Sequence, residues 1–318
     1  MFRKYEYVYA VYQTGSFTKA AESLYISQPS LSVAVRKIEK EVGAPLFDRN
    51  GGGATLTEIG QEYIAAAEQI RRTEQEFTNR IHDIYELESG LLSVGGTNYL
   101  CSYVLPRIIT RFKARYPKID VTLTEANSAT LGDLLEQEKL DIIVDSFDEN
   151  MDLYQGTPLT NERILLCLPQ DRPINRTLQE YAIRPRAIYD GLVDLTATPS
   201  VPIRTFRQEP FILLKNGNDM YHRAKKIFEK NAITPQILFH VDQLNISYAL
   251  AESGLGACFA TDTLFKFARF NDRVVLYNID QEHSSRTLHI AYKKNKYCTT
   301  AMNKFIEVAK EVIHPETP

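Results

Sequence analysis

Residues 15–49, GSFTKAAESLYISQPSLSVAVRKIEKEVGAPLFDR, leave the chain little conformational choice. They spell two short helices joined by a tight turn. Ser16 or Thr18 can cap the first helix, because a side-chain oxygen there accepts from the open amides of the opening turn. Ala20, Ala21 and Leu24 give that helix a compact inner face that a second helix can approach closely. After the turn at Tyr25 and Ile26, Ser27 is a second cap and Pro29 sits where its missing N–H is not needed. Gly43 then ends the helix where a left-handed residue is wanted.

On the second helix Leu31, Val35, Ile38 and Val42 recur at spacings of four, three and four, so they form one inward stripe. The opposite side carries Pro29, Ser32, Val33, Arg36 and Lys40, with Gln28 at its N-terminal edge. These side chains suit a DNA groove. Gln can pair bidentately with adenine, Ser can bond to either kind of base, and Arg or Lys can reach guanine or a phosphate. A solvated amphipathic helix would explain the same composition in isolation. Here capped helix, turn and capped helix arrive together, followed by Leu46-Phe47-Asp48-Arg49, the turn Gly51-Gly52-Gly53 and Ala54-Thr55-Leu56-Thr57. That is the pattern of a winged helix-turn-helix.

The segments AAESLYISQPSLS, IEKEVGAPLFDR and LTEIG resemble the N-terminal domain of the LysR-type transcriptional regulators, densely over residues 2–60 and more loosely to the C-terminus. The resemblance implies a bacterial regulator. Its fold would be an N-terminal all-α winged helix-turn-helix with a long linker helix, then a C-terminal α/β two-lobed domain resembling type 2 periplasmic binding proteins. It also implies Gln28, Pro29 and Ser32 at the bases and Arg49 near the backbone beside the wing. Two departures reduce the charged contacts: Val33-Ala34 stand where a polar or basic residue is common, and Gly51-Gly52-Gly53 where the wing often has Arg or Lys. Weaker nonspecific affinity is expected, with Val33 available to a thymine methyl.

The net charge of −3 does not announce a nucleic-acid binder. Residues 1–50, however, hold seven Lys or Arg against five Asp or Glu, a local +2. A length of 318 residues allows two or three domains. The opening MFRKYEYVYAVYQTG is amphipathic and contains Glu6, which is neither a secretory signal nor a membrane span, so a cytoplasmic location is expected. Tyr5, Val8, Tyr9 and Tyr12 read as core rather than a base-stacking platform, because their spacing is helical.

From residue 57 to 89 the chain reads as one linker and dimerisation helix. Tyr63, Ile70, Phe77 and Ile84 repeat every seven residues, joined by Ile59, Ala66 and Ile81. A two-fold dimer would present two recognition helices to an interrupted palindrome, and the family resemblance adds paired dimers, a tetramer. Beyond a hinge at Ser89-Gly90, strands and helices alternate in α/β order over 90–318. Lobe one is expected at 91–160 plus 267–318, and lobe two at 161–266. Ligands in open α/β folds bind at strand carboxyl ends, where helix N-termini offer amides. Those ends supply Thr97, Asn98, Ser102, Ser128, Thr130 and Ser146 from lobe one, and Lys215, Asn216, Asn218 and Gln243 from lobe two. Hydroxyls, amides and Lys215 suit a small polar or anionic metabolite such as a carboxylate. The Pro- and Arg-rich stretch 183–208 is longer than the family spacing and reads as a surface insertion, a lid or a subunit contact.

Competing functions find less support. No nucleophile–base arrangement, P-loop or paired carboxylates appear, and the six histidines are scattered, so no enzyme is expected. The four cysteines are widely spaced without Cys-x-x-Cys, so no metal site and no cofactor are expected. A redox-sensing regulator of the same family remains an alternative through Cys101, Cys167 or Cys258, and a solute-binding protein is a further one that the fused helix-turn-helix disfavours.

Overall fold

The computed structural model describes residues 2, 4–48, 54–84, 90–146, 153–279 and 284–314, without the side chains of 75, 76, 79, 80 and 82–84. It divides into two compact units, Met1–Ile81 and His82–Pro318.

In the first unit α1 (Tyr5–Thr14), α2 (Phe17–Ser23) and α3 (Gln28–Val42) pack around Leu31, Val35 and Ile38, the stripe read from the sequence. The caps are those expected. The Ser16 and Ser27 side chains accept the Lys19 and Ser30 amides, and Gly43 ends α3 in the left-handed region at φ 88°. On α1 the buried residues are Tyr5, Val8 and Val11, whereas Tyr12 is 41% exposed. The core stripe therefore runs through Val11 instead of Tyr12. Strands β1 (Phe47–Asp48) and β2 (Thr55–Leu56) pair antiparallel with Phe47 opposite Leu56. Glu39 on α3 holds this entry by accepting the Leu46 amide at 2.9 Å. The long helix α4 (Glu58–Ile84) starts against the same core, burying Tyr63, Ile64 and Ala67. Gly60 permits that approach: a Cβ there would lie 2.1 Å from the Leu46 carbonyl oxygen.

The second unit is built on a seven-stranded sheet of order β10-β6-β11-β5-β3-β4, with β9 also on β6. The strands are β3 (Gly90–Gly96), β4 (Ile119–Glu125), β5 (Ile142–Ser146), β6 (Tyr154–Pro169), β9 (Cys258–Thr261), β10 (Val274–Asn278) and β11 (Ser285–Lys293). β3 runs parallel to β4 and β5, with α5 (Leu105–Arg115) and α6 (Ser128–Glu136) in the crossovers, which is the predicted α/β order. A smaller parallel pair, β7 (Pro210–Leu214) and β8 (Gln236–Val241), is joined through α8 (Asp219–Lys230). α7 (Pro185–Tyr189) precedes β7, α9 (Leu244–Glu252) follows β8, α10 (Asp262–Phe267) follows β9, and α11 (Thr300–Ile313) packs Phe305 against Phe112 of α5.

One strand passes through both lobes. β6 pairs with β11 over its first half, Tyr154 to Arg163, and with β9 and β10 over its second, Ile164 to Pro169. β10 therefore belongs with the second lobe, although 267–318 was expected in the first. A strand is assigned by its ladder partner, and Val274–Asn278 pairs with Leu165–Pro169. The stretch 183–208 is also not a surface addition. Ile183, Ile188, Leu195, Val201, Ile203 and Phe206 are buried, and the Asn278 amide donates to the Leu195 and Thr198 carbonyls at 3.1 Å. It is a wall of the second lobe's core.

Candidate DNA interface and effector cleft

The outer face of α3 carries the residues expected to read DNA. Gln28, Pro29, Arg36 and Lys40 are exposed, Val33 is 66% exposed, and Ser32 is half-buried. Gln28 Nε2 donates to Ser32 Oγ at 2.9 Å, so the two polar side chains hold each other in place across one helical turn. Val33 is a large apolar side chain left in solvent by a helix whose other face is fully packed. Arg49 and Gly51-Gly52-Gly53 lie outside the described residues.

The seven residues of the expected helix seam separate. Ile59 and Phe77 are 46% and 65% exposed, and Ala66 and Ile81 are half-buried. Ile70 packs partly against the first unit's own core. Tyr63 is a correction: it is 4% exposed and its ring stacks on Phe2 at 4.9 Å, so it holds its own unit together and is not free for a partner helix. The heptad count could not show this, because a helix that leaves a globular unit shares its first turns with that unit. The Ile84 side chain lies outside the description.

In the second unit a cleft opens at the carboxyl ends of β3, β4 and β5, with about 430 Å³ of empty space when the solvent at its mouth is included. Thr97, Asn98, Ser128, Asn218 and Gln243 line it, as expected from the strand ends. Ser102, Thr130 and Asn216 are exposed and do not line it. Ser102 accepts from Asn245, and the Thr130 amide serves as the donor to the Asn127 cap. Lys215 does not line it either, since its Nζ donates to Asp242 Oδ2 at 2.8 Å. Ser146 sits just behind the lining, bonded to Asp219 Oδ2 at 2.9 Å.

Sequence reading missed the charged floor of this cleft. Arg286, at the start of β11, is 7% exposed and donates from Nε to Glu162 at 2.7 Å, from Nη1 to Asp219 at 2.6 Å and from Nη2 to the Tyr99 hydroxyl at 3.0 Å. Tyr99 donates to Glu162 at 2.9 Å. Burial opposes the Arg286 charge, but Tyr99, Glu162 and Asp219 reverse the balance and hold it well above the ordinary guanidinium range. Arg223, one turn along α8, donates to Asp219 Oδ2 at 2.7 Å. Asp145, at the end of β5, is 1% exposed, and burial pushes its carboxyl up to about 6. An Arg 140 residues from its Ser partner carries no local signal, which is why spacing did not expose the network.

Cys101, Cys167 and Cys258 are not set up to sense oxidants. Cys167 and Cys258 face each other across β6 and β9, both fully buried, and burial raises the Cys167 thiol well above its usual range. Burial and Glu125 push Cys101 up to about 12. Redox sensing uses exposed thiols of lowered pKa, the reverse of this environment. Among the described residues no group of three or more His, Cys, Asp or Glu could hold a metal ion.

Comparison with known proteins adds a consistent picture. The family model described as "Bacterial regulatory helix-turn-helix protein, lysR family" matches residues 2–61, and that of the "LysR substrate binding domain" matches 86–313. An uncharacterized HTH-type transcriptional regulator, YcgK of Bacillus subtilis (strain 168), is 30% identical over 306 residues, 96% of this chain and 93% of its own. Among solved structures, full-length CbnR complexed with its target DNA superimposes with TM-score 0.69 at 18% identity, covering 98% of this chain and 99% of that one. The effector binding domain of QuiR in complex with shikimate gives TM-score 0.55 at 17% identity, covering 70% of this chain and 96% of that one.

Proposed function

The chain belongs to the LysR family of bacterial helix-turn-helix transcriptional regulators, and from that premise we propose how its parts divide the work. It is a DNA-binding regulator with an effector-binding domain. Gln28, Pro29, Ser32, Val33, Arg36 and Lys40 read the major groove, and Arg49 contacts the backbone. The observation that carries this is α3 itself, capped at both ends, packed on one face and left with an ordered Gln28–Ser32 pair on the other. CbnR, a protein of the same fold, was solved on its target DNA.

Ile59, Phe77 and the later turns of α4 form the dimer seam. Two copies then present their α3 helices to an interrupted palindrome, and pairs of dimers form a tetramer. A small metabolite in the cleft lined by Thr97, Asn98, Ser128, Asn218 and Gln243 controls the output. It acts through its differential affinity for two arrangements of the lobes. The protein performs no chemical step, needs no cofactor and works in the cytoplasm. No helix among the described residues is long and apolar enough to cross a membrane.

Footprinting on the DNA upstream of its own coding region, at fixed salt with Gln28→Ala as the control, tests this reading. Protection of an interrupted palindrome that the variant loses supports it. Salt-sensitive binding with no footprint would remove sequence-specific reading.

A further inference from the structure

The effector cleft contains a buried acid short of hydrogen-bond donors. Asp145 Oδ1 accepts the Ser146 amide at 2.8 Å, while Oδ2 is buried with no hydrogen-bond partner. Asn98 Oδ1 and Thr97 Oγ1, also lining the cleft, are likewise buried and unpartnered. Leaving a buried acceptor unmade costs its desolvation, so three such atoms at one opening mark a place where a ligand supplies donors.

The charges around that opening favour the same kind of ligand. Glu125, Asp145, Asp219 and Asp242 line it against Arg286, the one cation of the lining among the described residues. Arg286 is committed to Glu162, Asp219, Ser146 and Tyr99, and Lys215 to Asp242. A plain carboxylate entering here would meet acids and would leave Asp145 Oδ2 without a donor. A neutral hydroxylated ligand would serve Asn98 and Thr97 but not that charge. An ammonium answers all three acceptors. The opposite wall supplies anion donors: α8 and α9 both begin at this cleft, at Asp219 and Leu244, and neither N-cap side chain, Asn218 or Gln243, bonds to the opening amides.

We propose that the cleft takes an amine-bearing carboxylate of amino-acid size, with its ammonium on Asp145 Oδ2 and Asn98 Oδ1 and its carboxylate on the opening amides of α8 and α9. This rests on the effector reading above and names the ligand class for it.

The test is titration calorimetry on the full chain at neutral pH, with the common α-amino acids as probes beside the matching acids that lack the amine. A binder among the amino compounds is expected, with its amine-free analogue weaker by on the order of 10–100-fold, the worth of one charge-assisted hydrogen bond. Asp145→Asn should cost the amino compound the same factor and leave the analogue unweakened, or bound more tightly once the like charge is gone. Asn98→Ala should weaken the amino compound selectively as well, which guards against a variant that merely misfolds. Amine-free acids that bind as tightly as their amino partners, or an Asp145→Asn protein that keeps full affinity for the amino compound, would overturn the proposal. Silence from both sets, with the DNA footprint unmoved by every compound, would bring down the effector-cleft reading and this proposal with it.

Discussion

Burying Asp145 without a full complement of donors sets a pH dependence that one substitution should reveal. Its carboxyl titrates at about 6 in the fold against a usual 3.8, raised by burial and by Asp219, with Arg286, Ser128 and the Ser146 amide pulling the other way. Arg223 and Tyr99 are also within electrostatic range. Because the folded state holds this proton more tightly, it binds more protons than the unfolded chain between pH 3.8 and about 6. Stability from this group is therefore lost as pH rises through that window, and above it the buried charge costs its full amount. A gap of about two pH units, at about 1.4 kcal/mol per unit, corresponds to about 3 kcal/mol. Asn carries no charge at any pH, and its Oδ1 can still accept the Ser146 amide. Asp145→Asn should thus stabilise the second unit at pH 8 by about 2–3 kcal/mol, raising its melting temperature by roughly 5–10 °C. The gain should shrink from pH 6 downward and vanish near pH 4. Scanning calorimetry of both proteins across pH 4–8 measures it. A variant less stable than the parent at pH 8, or a gain that does not change with pH, would refute the argument that this buried carboxylate is short of donors.

Other outcomes follow from the packing. Gly60→Ala places a methyl where the Leu46 carbonyl oxygen lies, so it should cost the first unit about 1–3 kcal/mol in a urea melt. Arg286→Gln leaves Glu162 and Asp219 without their buried partner and should cost about 3–5 kcal/mol, part of it regained when Glu162→Gln is added. Phe77→Glu on the exposed flank of α4 should shift the chain from dimer to monomer in sedimentation at micromolar concentration without lowering the first unit's melting temperature; an unchanged mass would take Phe77 out of the seam.

The parts of this molecule that were readable in advance are those specified by neighbours in the chain. Ser16, Ser27, Pro29 and Gly43 punctuate α2 and α3 through bonds spanning three or four residues, and the Leu31–Val35–Ile38 stripe needs only helical period. The alternation of strand and helix likewise placed Thr97, Asn98 and Ser128 at a cleft, because each is the residue after or near a strand end. What escaped depends on distant pairings. β10 could be assigned to a lobe only once its partner Leu165–Pro169 was known, and the 183–208 stretch could be called core only once Leu276 and Asn278 lay beside it. Arg286 and Glu162 are 124 residues apart, and each alone reads as a surface charge. Strand ends therefore mark a cleft but not its electrostatics: Lys215 reads as its cation, whereas the fold turns that side chain to Asp242 and puts Asp145 at the opening.

The unbroken run of β6 also limits how a bound molecule can be felt elsewhere. A strand is nearly inextensible, so two lobes threaded on the same one cannot separate along it, and its ladder to β11 on one side and β10 on the other resists hinging in the sheet plane. Torsion about the strand axis is left as a softer coordinate of β6, near Glu162 to Ile164, where the partners change hands. Glu162 and Arg286 clamp that same point from adjacent strands. The fold is in this respect a torsion bar gripped at its middle, and a ligand that leans on both lobes needs to supply only a small twist for the far ends to sweep a large arc.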